Sequence, residues 1–294
     1  FKNGLHFGVT ASVADDKTEV TKWTYNTKIP SYGATGWWDK SAYKEGMVLG
    51  DIWGLQFDRF LTEDDFNADG SLKAGLPDQT KVFPAGYQFA PGDVLYKDLD
   101  NNGEIVKQTN TNDKGDLSVI GNALPRLQFG LNLDAAWKGF DISMFFQGVA
   151  KRKLWAAGNQ VLPGFTTGEP FYKGAEDYWT PENTDAFYPR PMDYKQSASG
   201  NYSVNDRYLL NMAYLRLKTF TVGYSLPKVW LSKFKVQGLR VYFTGENLFT
   251  IDGVKPAIDP EIGIRTASGK SDQRNFGRSY PYQKTVSFGI QLSL

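Results

Sequence analysis

The stretch from Leu124 to Val149, LPRLQFGLNLDAAWKGFDISMFFQGV, constrains this chain more than any other. From Leu127 the apolar side chains fall on every second residue, Leu127, Phe129, Leu131, Leu133, Ala135 and Trp137. Gln128, Gly130, Asn132, Asp134 and Ala136 take the other phase. That is the two-residue period of a strand with one greasy and one wet face. Lys138 and Gly139 reverse the chain, and Phe140, Ile142, Met144 and Phe146 then alternate with Asp141, Ser143, Phe145 and Gln147. Strands of soluble domains usually run to about 5 or 6 residues, whereas one tilted across a bilayer needs roughly 9 to 11. Two strands of this length joined by one tight turn fit a membrane barrel, or else the inner faces of a large soluble β-sandwich.

Composition narrows the field. The 294 residues are 41% hydrophobic and 15% aromatic, with 30 glycines, yet the mean hydropathy is only -0.43. A barrel with a hydrophilic lumen and long outer loops has that profile. There is no run of 18 apolar residues, so a helical membrane span is excluded. A net charge of +1 and the lack of a Lys/Arg block give no case for nucleic acid. With no cysteine there are no disulfides or thiolate metal sites. The chain opens at Phe1 almost directly in a strand, as if an N-terminal portion had been cut away or lay elsewhere.

More strands follow the same pattern. Leu5 to Val13 alternates, and Lys17 to Tyr25 either pairs back on it or continues it past a bulge. Met47 to Phe57 reads as the next strand, and Tyr214 to Leu226 returns to strand with a phase slip that one bulge near Lys218 or Thr219 explains. GLRVYFTGENLFT and the closing TVSFGIQLSL complete the set. Counted from the C-terminus, connections run long, short, long, short, long, which is how outer-membrane barrels set extended outer loops opposite tight periplasmic turns. Asn26 to Glu45 breaks that rule if Lys17 to Tyr25 is a strand of its own.

The series GDIWGLQF, PGDVLYKDLDNNGEI, IGNALPRLQFGLNLDAAWKGFDISMFFQGV, YWTPENTDAFYPR, NDRYLLNMAYLRLKTFTVGYSLPKVWL, GLRVYFTGENLFT and YPYQKTVSFGIQLSL covers nearly the whole chain. In that order and spacing it resembles the C-terminal part of SusC/RagA-type TonB-dependent outer-membrane transporters. The resemblance implies an all-β fold: the last seven or eight strands of a 22-stranded transmembrane antiparallel barrel with long extracellular loops. Residues 1–294 would then be the C-terminal portion of the barrel, with the plug and the N-terminal strands absent. It implies import of oligosaccharides or peptides, with a SusD-type surface lipoprotein as lid and energy from the TonB complex acting through the missing N-terminal part. Leu294 replaces the family's usual terminal aromatic, although Gly289, Leu292 and Leu294 keep the spacing of a barrel-assembly signal.

No catalytic chemistry is expected. His6 is the only histidine, sits on the polar phase and reads as a lumen or surface residue, so no Ser-His-Asp set can be built on it beyond that one ring. Asp177 and Glu182 form a carboxylate pair of the kind any acidic loop offers. Substrate contact is expected instead from loop indoles, Trp37, Trp38, Trp155 and Trp179, which can stack on sugar rings or anchor at a headgroup boundary. Asp98, Asp100, Asn102 and Gly103 have the D-x-D-x-N-G spacing of a calcium loop, but Thr109 stands where a bidentate acid belongs. That turn is either a Ca2+ site or a solvated acidic turn. Two other functional classes stay open: a surface-displayed β-rich glycan-binding or adhesion module, and a passive porin. A plug and TonB box upstream would separate a transporter from a porin.

Overall fold

The computed structural model describes residues 4–24, 45–107, 114–156, 158–165, 171–192, 200–232, 236–255, 258–261 and 280–294. In chain order the strands are β1 (His6–Ala14), β2 (Asp51–Gly54), β3 (Phe57–Phe60), β4 (Val94–Tyr96), β5 (Ser118–Asn122), β6 (Arg126–Trp137), β7 (Phe140–Lys151), β8 (Lys153–Leu154), β9 (Leu210–Asn211), β10 (Tyr214–Ser225), β11 (Gly238–Glu246), β12 (Thr250–Asp252) and β13 (Thr285–Ser293). One helical turn, α1 (Lys228–Leu231), stands between β10 and β11. Among the described residues no helix is long and apolar enough to cross a membrane, which leaves crossing by strands untouched.

Six long strands form one antiparallel wall in the order β1-β6-β7-β10-β11-β13, and β12 joins as the seventh strand beside β10. The β6–β7 hairpin closes through Lys138 (φ 49°) and Gly139 (φ 89°). Two positive φ values in a row give the mirror-image turn whose twist matches paired strands. Residues directly opposite across an antiparallel pair share a face. One row therefore reads Phe7, Ala135, Ile142, Val222, Phe243 and Phe288 across all six strands, and the row beside it reads Gly8, Asp134, Ser143, Thr221, Thr244 and Ser287. The alternation seen in one hairpin is thus carried through the whole wall. The expected bulge is present: the β7–β10 register shifts between Leu217 and Thr219, which puts Leu217 and Phe220 on the same apolar face.

That apolar face is open. Val13 is 71% exposed, Ile290 72% and Phe288 83%. A soluble sandwich would cover these side chains with a second sheet, and among the described residues none does. So wide an uncovered apolar surface marks a face that meets acyl chains or a protein partner. At the short-turn end the aromatic residues gather: Phe140 packs on Tyr224 at 4.5 Å between centroids with the rings tilted by 41°, and Lys138 Nζ lies 4.4 Å over Trp137. Among the described residues β1 and β13 do not pair with each other, so the wall is an open sheet with both edge strands unpaired on one side.

One expected strand is not in the wall. Met47 to Phe57 is split between β2, which pairs with β5, and the start of β3, which pairs with β4. β1 pairs directly with β6 and leaves no place for it. The chain turns at Gly50 (φ 87°), and Gly54 passes so close to the Val204 carbonyl that an added Cβ would stand 2.7 Å from the oxygen. Lys17 to Tyr25 is not a wall strand either. Val20 N–H donates to Met47 O (2.9 Å) and Leu49 N–H to Thr18 O (2.8 Å), a short bridge inside the same connection; Tyr25 lies outside the described residues. Among the described residues no wall strand lies between β1 and β6. Asn26 to Glu45, where the alternation of long and short connections breaks, lies outside the described residues except for Glu45.

The packed core lies in these connections rather than under the sheet. One cluster gathers Ile52, Leu154, Trp155, Leu162, Tyr208 and Met212; another gathers Leu55, Phe60, Val94, Tyr96, Ile105 and Trp179. Both phases of Met47 to Phe57 are needed to fill them, which is why its alternation does not mark a membrane strand. At the edge of the second cluster Asp65 accepts two bonds from Arg59 (2.6 and 2.7 Å) and one from the Thr62 amide (2.7 Å). Chiefly through the Arg59 hydrogen bonds, this holds the Asp65 carboxyl at about 2, below its ordinary 3.8. A lowered folded pKa stabilises above the unfolded value and is lost as pH falls through the folded one. We expect the Phe57–Phe66 segment to loosen between pH 4 and 2, read as faster limited proteolysis, and Asp65→Asn to remove that acid step. An unchanged acid profile in the variant would refute the assignment.

Candidate functional site

The wet face of the wall is a field of small and polar groups held in place by one another. Asn132 Nδ2 donates to Asp134 Oδ2 (2.7 Å) and Ser143 Oγ to Asp134 Oδ1 (2.9 Å). Arg240 Nε donates to Asp141 Oδ1 at 2.9 Å across the intervening strand. Gly223 makes that reach possible, since a Cβ there would lie 2.5 Å from Arg240 Nη2. Near the outer end Arg216, buried, donates to Asp259 (2.7 Å) and Glu261 (2.8 Å), while Lys218 at the bulge reaches Glu261 at 3.0 Å. Two cations on β10 thereby tie the third long connection to the wall.

The first and second connections are joined through Asp93, which is fully buried. Its carboxylate accepts from Arg190 Nε (2.9 Å), Tyr87 Oη (2.9 Å), Asn201 Nδ2 (2.9 Å) and the Ala90 amide (2.9 Å). Burying an ion is costly unless it is paired and hydrogen-bonded, and here one carboxylate is matched from three separate parts of the chain. Arg207 makes a second joint. It stacks 4.3 Å from the Phe57 centroid and donates to the Ala186 and Phe187 carbonyls.

Against this braced body the second connection leaves a cavity of about 420 Å³, within the usual range for small-ligand sites. Phe171, Tyr172 and Tyr178 stand at its mouth, Tyr188 and Tyr202 at its floor, with three prolines, Lys173 and Glu176 around them. Tyr188 Oη is held by the Val161 carbonyl at 3.0 Å, and burial raises its pKa to about 12, so it is a neutral donor. The aromatic and proline-rich phrases FYK and YWTPENTDAFYPR were the visible signal for this cavity, but no periodicity shows that they fold around one hollow.

The indoles singled out from sequence fare differently. Trp37 and Trp38 lie outside the described residues. Trp155 is 2% exposed and Trp179 6%, one in each core cluster. Trp179 lies against Gly92, whose φ is 90° and where a Cβ would meet its ring at 2.5 Å. Both indoles fill the loop core and turn no open ring face to a sugar. His6 sits on the wet phase opposite Ala136. Asp177 and Glu182 are both exposed, and Asp177 accepts from Asn183 Nδ2 at 3.4 Å.

The acidic turn gains a member. Asp98 and Asp100 are joined by the buried Asp116, with one carboxylate oxygen of each within 4.8 Å of the others. Asp116 comes from beyond Thr109, and chain order hid it. Asp98 accepts from the Gly103 amide (2.7 Å), and Asp116 accepts from the Leu99 (2.8 Å) and Val106 (2.7 Å) amides. Asn102 Oδ1 is bonded to the Glu104 amide (2.8 Å). Desolvation, followed by the charges of Asp116 and Asp98, raises the Asp100 carboxyl above its ordinary value. Three carboxylates within one cation's reach are a hard-oxygen donor set.

No family model matches the chain. It is 29% identical over 258 residues to TonB-dependent receptor P3 of Formosa agariphila, covering 85% of this chain and 22% of that one. It is 25% identical over 242 residues to TonB-dependent receptor SusC of Bacteroides thetaiotaomicron, covering 79% and 22%. In fold it follows a RagAB peptide importer in the open-open state along its full length, with a TM-score of 0.60, 18% identity and 27% of that chain covered. The chain is similar in sequence to part of TonB-dependent receptors, SusC among them, and shares the fold of part of a RagAB importer chain. It spans about a fifth of the length of the curated relatives it matches. In a barrel of this type the open face of Phe7, Val222 and Phe288 is the lipid side and the row of Asp134, Ser143 and Thr244 lines the lumen.

Proposed function

We propose that this chain forms the closing, C-terminal arc of an outer-membrane importer that takes up an oligosaccharide or oligopeptide together with a SusD-type surface lipoprotein. The plug, the other strands and the contact with the TonB complex belong to the remainder of the protein. The observation that carries this is the wall itself: one apolar face continuous over six strands, one polar face behind it, and every long connection at the same end. The curated relatives are named as receptors and the structural neighbour as a peptide importer, which supports uptake rather than catalysis. A barrel whose outer connections fold into a braced body offers a partner and a substrate a fixed surface. A passive porin has no need of one.

Uptake by cells carrying the full-length protein tests this. Transport of its substrate should stop when the proton-motive force is collapsed and when the surface lipoprotein gene is deleted. Uptake that survives both treatments and rises linearly with outside concentration would favour the porin.

The Asp98–Asp100–Asp116 turn is proposed as a Ca2+ site, with Asp116 supplying the carboxylate that position Thr109 lacks. Ca2+ should raise the unfolding temperature of the outer connections in purified protein by a few degrees, and Asp116→Asn should abolish the rise. An equal response in the variant would remove the site.

A further inference from the structure

The cavity in the second connection has the chemistry of a peptide side-chain site, and this inference rests on the import reading above. Sugar sites combine an aromatic platform with several polar side chains that hydrogen-bond the hydroxyls. This cavity has the platform, and among the described residues that line it only Lys173, Glu176 and the tyrosine hydroxyls are polar, with proline rings and Ala175 filling the rest. The Tyr188 hydroxyl is already committed to the Val161 carbonyl. A hydroxyl-covered ring placed here would leave most of its hydrogen-bonding groups unmatched, which costs affinity. An aryl or prolyl side chain would lose nothing and would pack on rings already held in position.

The mouth agrees with this. Phe171 is 56% exposed, Tyr178 40% and Tyr172 38%, so three rings stand open to solvent around one hollow. Tyr178 is fixed by a backbone bridge to Tyr188, so its ring is presented by a rigid piece of chain. Lys173 and Glu176, three residues apart, put one cation and one anion on the same rim. A short zwitterionic peptide carries both complements, and a neutral glycan carries neither. The volume of about 420 Å³ is enough for one large side chain with its flanking backbone.

We infer that the cavity bounded by Phe171, Tyr178, Tyr188 and Tyr202 is a docking site for an aromatic or prolyl side chain of an oligopeptide, with Lys173 and Glu176 reading the charges of its backbone ends or neighbours. The test uses the full-length transporter in detergent. Calorimetric titrations compare a Phe-Pro-containing tetrapeptide, tetraglycine and a neutral maltooligosaccharide. The Phe-Pro peptide should bind at least about tenfold more tightly than the other two. Phe171→Ala and Tyr178→Ala, at exposed positions outside both cores, should each weaken it by about tenfold and leave tetraglycine unchanged.

Failure of the Phe-Pro peptide to bind, tighter binding of the oligosaccharide, or equal binding of both peptides would overturn the site. So would alanine variants that bind as the parent does. A double variant with Lys173→Ala and Glu176→Ala separates the rim from the rings: it should weaken the zwitterionic peptide and spare its end-blocked form, and equal effects on both forms would overturn the assigned role of the rim. Energised uptake is scored separately. Loss of proton-motive-force dependence with the binding pattern intact would refute the import reading and leave the side-chain site standing.

Discussion

Leu131→Lys should abolish assembly of the barrel, and Asn132→Lys, one residue along the same strand, should leave it intact. Leu131 lies at the middle of β6, between Ala11 of β1 and Phe146 of β7 on the open apolar face. A lysine there places its ammonium near the bilayer midplane, where such a charge costs roughly 2–4 kcal/mol. Asn132 points the other way, between Thr10 and Phe145, and already donates to Asp134, so a lysine there gains a carboxylate partner in the lumen. Outer-membrane fractions run with and without heating should show the folded, heat-modifiable band for Asn132→Lys alone. Comparable damage from both lysines would mean that both faces are buried in protein, and the barrel reading would fail.

The second large effect is confined to the outer connections. Asp93→Ala removes the acceptor for Arg190, Tyr87, Asn201 and the Ala90 amide at once. Breaking a buried pair from one side typically costs about 3–5 kcal/mol, because the partner charge is left without a match. Arg190 keeps some access to solvent here, so the lower end of that range is expected. The wall does not depend on Asp93, so the heat-modifiable band should persist. Protease added to intact cells should instead cut between β3 and β6 and between β8 and β9 faster in the variant than in the parent. Unchanged resistance in the variant would show that the aromatic packing around Arg207 and Tyr208 holds the connections together without the ion network.

These two results would separate two kinds of order within one chain. The wall is held by strand register with its apolar face uncovered, and the outer body is stabilised by buried side chains of its own. A substitution in one is therefore expected to leave the other folded, since distant sites with no shared partners behave almost additively.

What the sequence alone determined here is the wall. A period of two over ten or more residues leaves little choice about which side chains share a face, and a tight Lys-Gly turn sets the pairing of β6 with β7. The phase slip at Lys218 was legible because an inserted residue moves every later side chain to the other face. Local signals of this kind survive without knowledge of the rest of the fold. Tertiary structure alone decided what the long connections do. Met47 to Phe57 alternates as a membrane strand would, yet it packs both its faces in the loop core. Trp155 and Trp179 look like platforms for sugars and turn out to fill that core. Asp116, Tyr202 and Phe171 join partners more than a dozen residues away in the chain. Burial in these connections is set by contacts between segments far apart in the chain, and no local period records which segment will cover which.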